Sequence, residues 1–403
     1  MGAHIPDGVF AYTSPHAPVP LSELERLLVV TACGGNTGWH HLIYRAERYA
    51  PHLSNYAAAA SGRTFPSSAG FHTTKTFFTD DTGVYVLDNR DVPACADRNA
   101  DGSIDLNTVL SATHTHTRQL QAGRLRVPPQ TPFVEPHNTW VANQPGTLLV
   151  IPVADLAQHV LLNLCYMLQN GLVLYDDIHK RAIPGIEKFG HLVDVTKVWP
   201  ITFVDQLTLS EASVELSTGC YAGALLLQAM GLGGWMYSGI DPFVMLGASG
   251  KPNVPGLGFR FDTRDDWPYP HPTGLPGVME GFCPPHFPNM RAALDALCER
   301  KFGPGGPFHP ATPGPWVDSP KVRGAAQMHG EDFRACVAHQ AQYVFDTFGK
   351  FPGTIPAMFS IMYLQAQHLD LDFYDRFYQP GAVLHTHRNH MAQWHPEMPH
   401  TKP

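Results

Sequence analysis

The stretch EASVELSTGCYAGALLLQAM at 211–230, followed at once by GLGG, constrains the fold more than any other part of this chain. It holds no proline, and it predicts one long helix capped by Ser210 and stopped by the glycines after Met230. Gly219, Ala222 and Gly223 fall at i, i+3 and i+4, so they share one face. A glycine inside a helix costs about 1 kcal/mol against alanine. Two of them on one face imply that another backbone crosses there. The chain has 403 residues, of which 44% are hydrophobic, enough to bury a large core around such a helix.

Other elements follow from local signals. Residues 21–34 predict a helix opened by a Ser22/Glu25 capping box, with Leu24, Leu27 and Leu28 as its apolar face and Gly34-Gly35 as its end. KTFFTDDTGVYVLD predicts two strands around an Asp-Asp-Thr-Gly turn. TLLVIPV at 147–153 predicts a fully apolar strand. The following DLAQHVLLNLCYMLQNG predicts a helix with Asp155 as N-cap and Gly171 as stop. Residues 88–146 are polar and rich in Pro, Asn and His, which suggests an excursion from the core. Residues 172–209 are mixed, and NVPGLGFRF at 253–261 predicts a further strand. After residue 264, Pro-rich linkers surround predicted helices at 290–301, 331–348 and about 356–378. The fold class expected is α+β, an antiparallel-rich sheet flanked by helices. Its organisation is a domain over 1–264 with an insertion at 88–146, and a helical extension over 265–403.

Charge and cysteine usage narrow the setting. The net charge is −8 and no Lys/Arg cluster occurs, which argues against a nucleic-acid partner. The longest apolar stretch, VLLNLCYMLQNGLVLY, carries Asn, Gln and Gly and reads as a buried helix rather than a membrane span. The N-terminus lacks the basic and apolar regions of a secretory signal. Seven scattered cysteines with no CxxC pair fit buried thiols in a reducing, cytoplasmic setting.

Three segments stand in a telling order: RTFPSSAGFHTTKTFF with VYVLD, then LSTGCYAGALLLQAMGLGGWMYSGID, then VPGLGFRF. Together they resemble the nitroreductase-like FMN superfamily, and within it the branch that includes the oxazoline and thiazoline dehydrogenases. The resemblance spans roughly residues 10–262. It implies an FMN-dependent oxidoreductase that passes hydride between flavin N5 and a small organic substrate, with NAD(P)H or oxygen as electron partner. It also implies a homodimer with FMN at the subunit interface. Arg63, Ser67, Ser68, Ala69 and Gly70 are the expected cradle of the ring and its tail, with Gly233 and Gly234 passing over the ring. His72, just past the loop, is the candidate proton donor or acceptor near N5. The family opens with an Arg-rich stretch, whereas GVFAYTSPHAPV has no arginine and offers only Tyr12 and His16. Either later residues such as Lys321 and Arg323 hold the phosphate, or flavin binding is weakened or lost. Lys197-Val198-Trp199 stands where the azoline dehydrogenases carry a Lys-Tyr pair. No GxGxxG follows a strand, so no nicotinamide-binding Rossmann unit is expected.

Two constellations suggest metal. DRNADGSID at 97–105 matches the start of a calcium loop, with Asp97, Asn99, Asp101, Ser103 and Asp105 as oxygen ligands and Gly102 at the turn. Position 12 of that loop is Thr108, not the bidentate Glu. Any calcium there is expected to be structural. The C-terminal segment holds His368, Asp370, Asp372, His385, His387, His390 and His395, a set that suits zinc or iron. It opens a second reading: a relative without flavin that works as a hydrolase or binding protein through metal. ATHTHT at 112–117 is a weaker histidine cluster of the same kind.

Overall fold

The computed structural model describes residues 1–36, 62–89, 92, 98–139, 142–314, 316–324, 326 and 328–397. A short hairpin of β1 (His4–Ile5) and β2 (Tyr12–Thr13) leads into helix α1 (Glu23–Gly34). The capping box opens α1 as the sequence predicts: the Ser22 hydroxyl accepts from the Glu25 N–H, and a Glu25 oxygen accepts from the Ser22 N–H at 2.6 Å. Strands β3 (Thr74–Thr79) and β4 (Gly83–Leu87) form the predicted hairpin, its turn fastened by the Asp80 carboxylate accepting from the Thr82 N–H. Helix α2 (Leu106–Thr115) and strand β5 (Thr117–Ala122) follow, then β6 (Leu148–Asp155) and helix α3 (Leu156–Gln169), capped by Asp155. A small sheet of β7 (Val173–Asp176), β8 (Arg181–Ala182) and β9 (Val198–Pro200) precedes the long helix α4 (Ile201–Met230). Then come β10 (Gly233–Tyr237), the short helix α5 (Pro242–Leu246), and a second small sheet of β11 (Arg260–Asp262), β12 (His271–Leu275) and β13 (Met279–Glu280). The last part carries α6 (Met290–Phe302), α7 (Ser319–Gly324), α8 (Glu331–Phe348), β14 (Phe359–Ile361), β15 (Tyr363–Gln367), α9 (Leu371–Phe377) and α10 (His385–Trp394).

The main sheet is antiparallel, in the order β10-β15-β6-β3-β4-β5, with β14 also on β6. All eight residues of β6 are buried. Alternation along a strand sends its side chains to opposite faces. Leu149, Ile151 and Val153 join a core with α3, α6 and α8, whereas Leu148 and Val150 join one with α1 and α4. The fold is therefore α+β, a sheet between two helical layers. The small face of α4 has the expected use. A side chain on Gly223 would strike the Cys33 sulfur and Leu364, and one on Gly219 would strike the Cys33 carbonyl at 2.9 Å, so these glycines let α1 cross closely.

Several expectations are corrected. Helix α4 starts at Ile201 behind Pro200, ten positions before the predicted start. Ser210 is inside the helix, its hydroxyl donating to the Gln206 carbonyl rather than capping. In α1 the inward residues are Val29, Val30 and Cys33, while Leu24 is exposed. The 88–146 stretch is not wholly an excursion, because β5 pairs with β4, and Leu125, Val127 and Val134 are in the core. Of 253–261, only the end is strand. The helix expected over 356–378 is instead two sheet strands and a seven-residue helix. Thus β15, beyond residue 264, lies in the same sheet as β3, β4 and β6.

No helix among the described residues is long and apolar enough to cross a membrane. The six described cysteines are free and buried, and Cys95 lies outside the described residues.

Candidate functional site

The loop at 63–72 is held against the middle of α4 by a buried acid. Glu215 takes the Ser67 hydroxyl on one oxygen (2.7 Å) and the Thr74 N–H on the other (2.9 Å). The Ser67 oxygen in turn accepts from the His72 N–H at 2.9 Å. Gly70 turns the chain with φ +69, and His72 takes a left-handed φ of +46, uncommon for a residue with a side chain. The His72 ring is buried and meets Phe65 edge-on at 5.8 Å. Arg63 pairs with Asn36, its guanidinium donating to the Asn36 side-chain oxygen. Ser68 is half-buried on the loop's short 3-10 turn, which also includes Ala69. Glu215 has no sequence signal of its own, since it sits in a helix that reads as apolar.

Helix α4 also presents an uncovered apolar face. Phe203, Val214, Tyr221 and Leu225 are 44–57% exposed. Their spacings of 11, 7 and 4 place them within about 40° of one another around the helix.

Gly233 and Gly234 lie elsewhere. They are in β10, where added side chains would strike Leu369 and the Gln365 carbonyl, so their smallness serves strand packing. The loop meets α4 at Glu215, Thr218 and Gly219, whereas Gly234 packs against Leu227 further along the same helix. Lys321 and Arg323 are on α7. The buried Arg323 donates to the carbonyls of Pro307 and Pro313 and stacks on Trp316. Of the N-terminal candidates, Tyr12 donates to Asp370 (3.0 Å) and His16 pairs with Asp372 (2.8 Å).

In the expected calcium loop, Asp97 lies outside the described residues. Asp101 accepts from the Ser103 N–H and hydroxyl, Asn99 donates to Ser103, and Asp105 caps α2. Asn99, Asp101 and Ser103 thus hydrogen-bond one another within the turn, and Asp105 turns to the first turn of α2. In ATHTHT, His114 is exposed and lies 3.4 Å from Glu23.

The densest gathering of metal-ligating groups among the described residues surrounds Glu25. The Nε2 atoms of His368, His390 and His395 lie 3.1, 2.7 and 3.0 Å from its Oε1, and all four residues are buried. Burial alone raises a carboxylic pKa. The His368, His390 and His395 rings at its oxygen more than reverse this and hold Glu25 below its ordinary value. His368 follows β15, His390 is on α10, and His395 ends α10. Gly231, in a left-handed conformation at the end of α4, lies directly against the Thr386 carbonyl and His390 Cβ, where a side chain would not fit. The glycine-rich helix end thus seats the histidine-bearing helix. The sequence offered three of these four ligands in one segment. It gave Glu25 only as a capping residue, 343 positions before His368.

No family model matches the chain, and no curated protein does. One similar solved structure is that of a candidate nitroreductase from Ralstonia eutropha. It is 12% identical, and the match covers 58% of this chain and 68% of that one with a TM-score of 0.27. A likeness that slight carries no argument about fold or chemistry.

Proposed function

We propose that this chain is a flavin-type oxidoreductase acting as a homodimer, with FMN bound between the two copies. The reading rests on the resemblance of the loop and α4 segments. The observation that carries it is the uncovered face of Phe203, Val214, Tyr221 and Leu225, on the helix whose Thr218 meets the Pro66 carbonyl. Large apolar side chains on one face of a central helix are stabilised by a partner. Bound flavin would supply hydride chemistry toward a small organic substrate. The residues of this chain would supply a small-residue loop fixed by Glu215, with His72 as candidate proton carrier.

Purified protein is expected to be yellow, to release FMN on denaturation and to run as a dimer in light scattering. Tyr221→Glu is expected to give a folded monomer with at least tenfold weaker FMN binding. A colourless monomer that takes up no added FMN sinks the reading. The other reading, a chain without flavin that binds metal through its histidine-rich C-terminal segment, is favoured by the convergence on Glu25.

A further inference from the structure

We infer that Glu25, His368, His390 and His395 bind one zinc ion, in a closed site that fastens the C-terminal helix α10 to the first turn of α1. The argument starts from which ring nitrogens carry hydrogen. His368 Nδ1 is 2.9 Å from the Val19 carbonyl, and His390 Nδ1 is 2.8 Å from the Met230 carbonyl. A carbonyl only accepts, so both Nδ1 atoms are protonated. In a neutral ring the Nε2 is then a bare lone pair. Both rings aim that lone pair at Glu25 Oε1, an atom that also only accepts. His395 aims its Nε2 at the same oxygen. Without a cation at the centre, an ionised Glu25 needs two imidazolium ions buried side by side, and a protonated one still needs one. With a divalent ion, every lone pair faces positive charge.

The surroundings match those of a metal centre. Ligating histidines are ordinarily oriented by giving their other N–H to a carbonyl or carboxylate, as His368 and His390 do. The second Glu25 oxygen is fixed by the Ser22 N–H. Zinc bonds of 2.0–2.1 Å in a tetrahedron put ligand atoms about 3.3 Å apart. The nitrogens already lie 2.7–3.1 Å from Oε1, and all four ligand atoms lie within 4.8 Å of one another, so small outward shifts suffice. Three imidazoles and a carboxylate suit zinc, and four protein ligands fill its shell. The site is therefore structural rather than catalytic. It does not depend on the flavin reading: colour reports that one, and metal content reports this one.

The test uses the full chain. Elemental analysis of protein supplied with Zn2+ and then dialysed is expected to find one zinc per chain. After chelation, Co2+ titration is expected to give the visible absorption of tetrahedral cobalt with 1:1 stoichiometry, reversed by Zn2+. X-ray absorption is expected to show four nitrogen or oxygen ligands, with the outer-shell scattering of three imidazoles. Glu25→Gln and His395→Gln are each expected to weaken Co2+ binding at least tenfold. Wild-type spectra decide the matter even if a variant fails to fold. A folded chain, verified by circular dichroism, that retains no zinc and gives no cobalt absorption overturns the inference. So does metal binding left unchanged in both folded variants.

Discussion

Asp205 lies on the inward side of α4, where Thr354 donates both its backbone N–H (2.8 Å) and its hydroxyl (2.7 Å) to one carboxylate oxygen. Burial pushes its pKa up to about 6, and the Thr354 hydrogen bonds only partly oppose this. In the unfolded chain an aspartate titrates near 3.9. Between about pH 4 and 6 the folded state therefore holds more protons, and this group's contribution to stability falls as pH rises through that window. The cost is complete above pH 6 and amounts to at most roughly 3 kcal/mol. Asp205→Asn keeps an oxygen acceptor and removes the charge. It is expected to unfold at higher urea than the parent at pH 7 and at nearly the same urea at pH 4. Equal midpoints at both pH values would show that the charge is not strained. Glu25 illustrates the limit of reading at this scale. Ser-x-x-Glu before an apolar run announces a capping box, because the signal is local. Its other oxygen meets residues more than 340 positions away, which no local pattern encodes.

At the scale of elements, legibility follows how much of an element's environment its own residues record. TLLVIPV reads as a strand because β6 is buried on both faces and needs no polar residue. TRQLQA in β5 is a partly exposed edge with little alternation, so it reads as loop. FSIMYLQAQ is apolar enough for a helix, and only its pairing with β6 and β10 makes it two strands. The start of α4 was hidden because Ser210 has the chemistry of a cap, while the true start is set by Pro200 and the turn from β9. The small face of α4 was legible because glycine in a helix needs a cause. Gly223→Ala gains about 1 kcal/mol of helix propensity. The new methyl meets the Cys33 sulfur and Leu364, and overpacking typically costs 1–3 kcal/mol. The net is expected to be destabilising by about 1 kcal/mol in chemical unfolding. A more stable variant would show that α1 and α4 are not tightly apposed.

For the molecule as a whole, the decisive fact is that the main sheet closes late. Strand β15 lies between β6 and β10, pairing with both, and Tyr363, Leu364 and Ala366 are fully buried. Without it β6 loses one neighbour and β10 has no partner in the sheet. Helices α6 and α8, which cover one face, come from the same late region. Each large buried side chain contributes about 1.5–3 kcal/mol, and a domain's whole margin is only about 5–15 kcal/mol. Losing Tyr363 and Leu364 with the hydrogen bonds of β15 consumes much of that margin before α6 and α8 are considered. A chain ending at Arg264 is therefore expected to lack a cooperative thermal transition and to bind a hydrophobic dye. The full chain is expected to melt in one step with little dye binding. Were the shortened chain to keep the parent's near-ultraviolet circular dichroism and a sharp transition, residues 1–264 would be self-sufficient and β15 an ornament on a finished sheet.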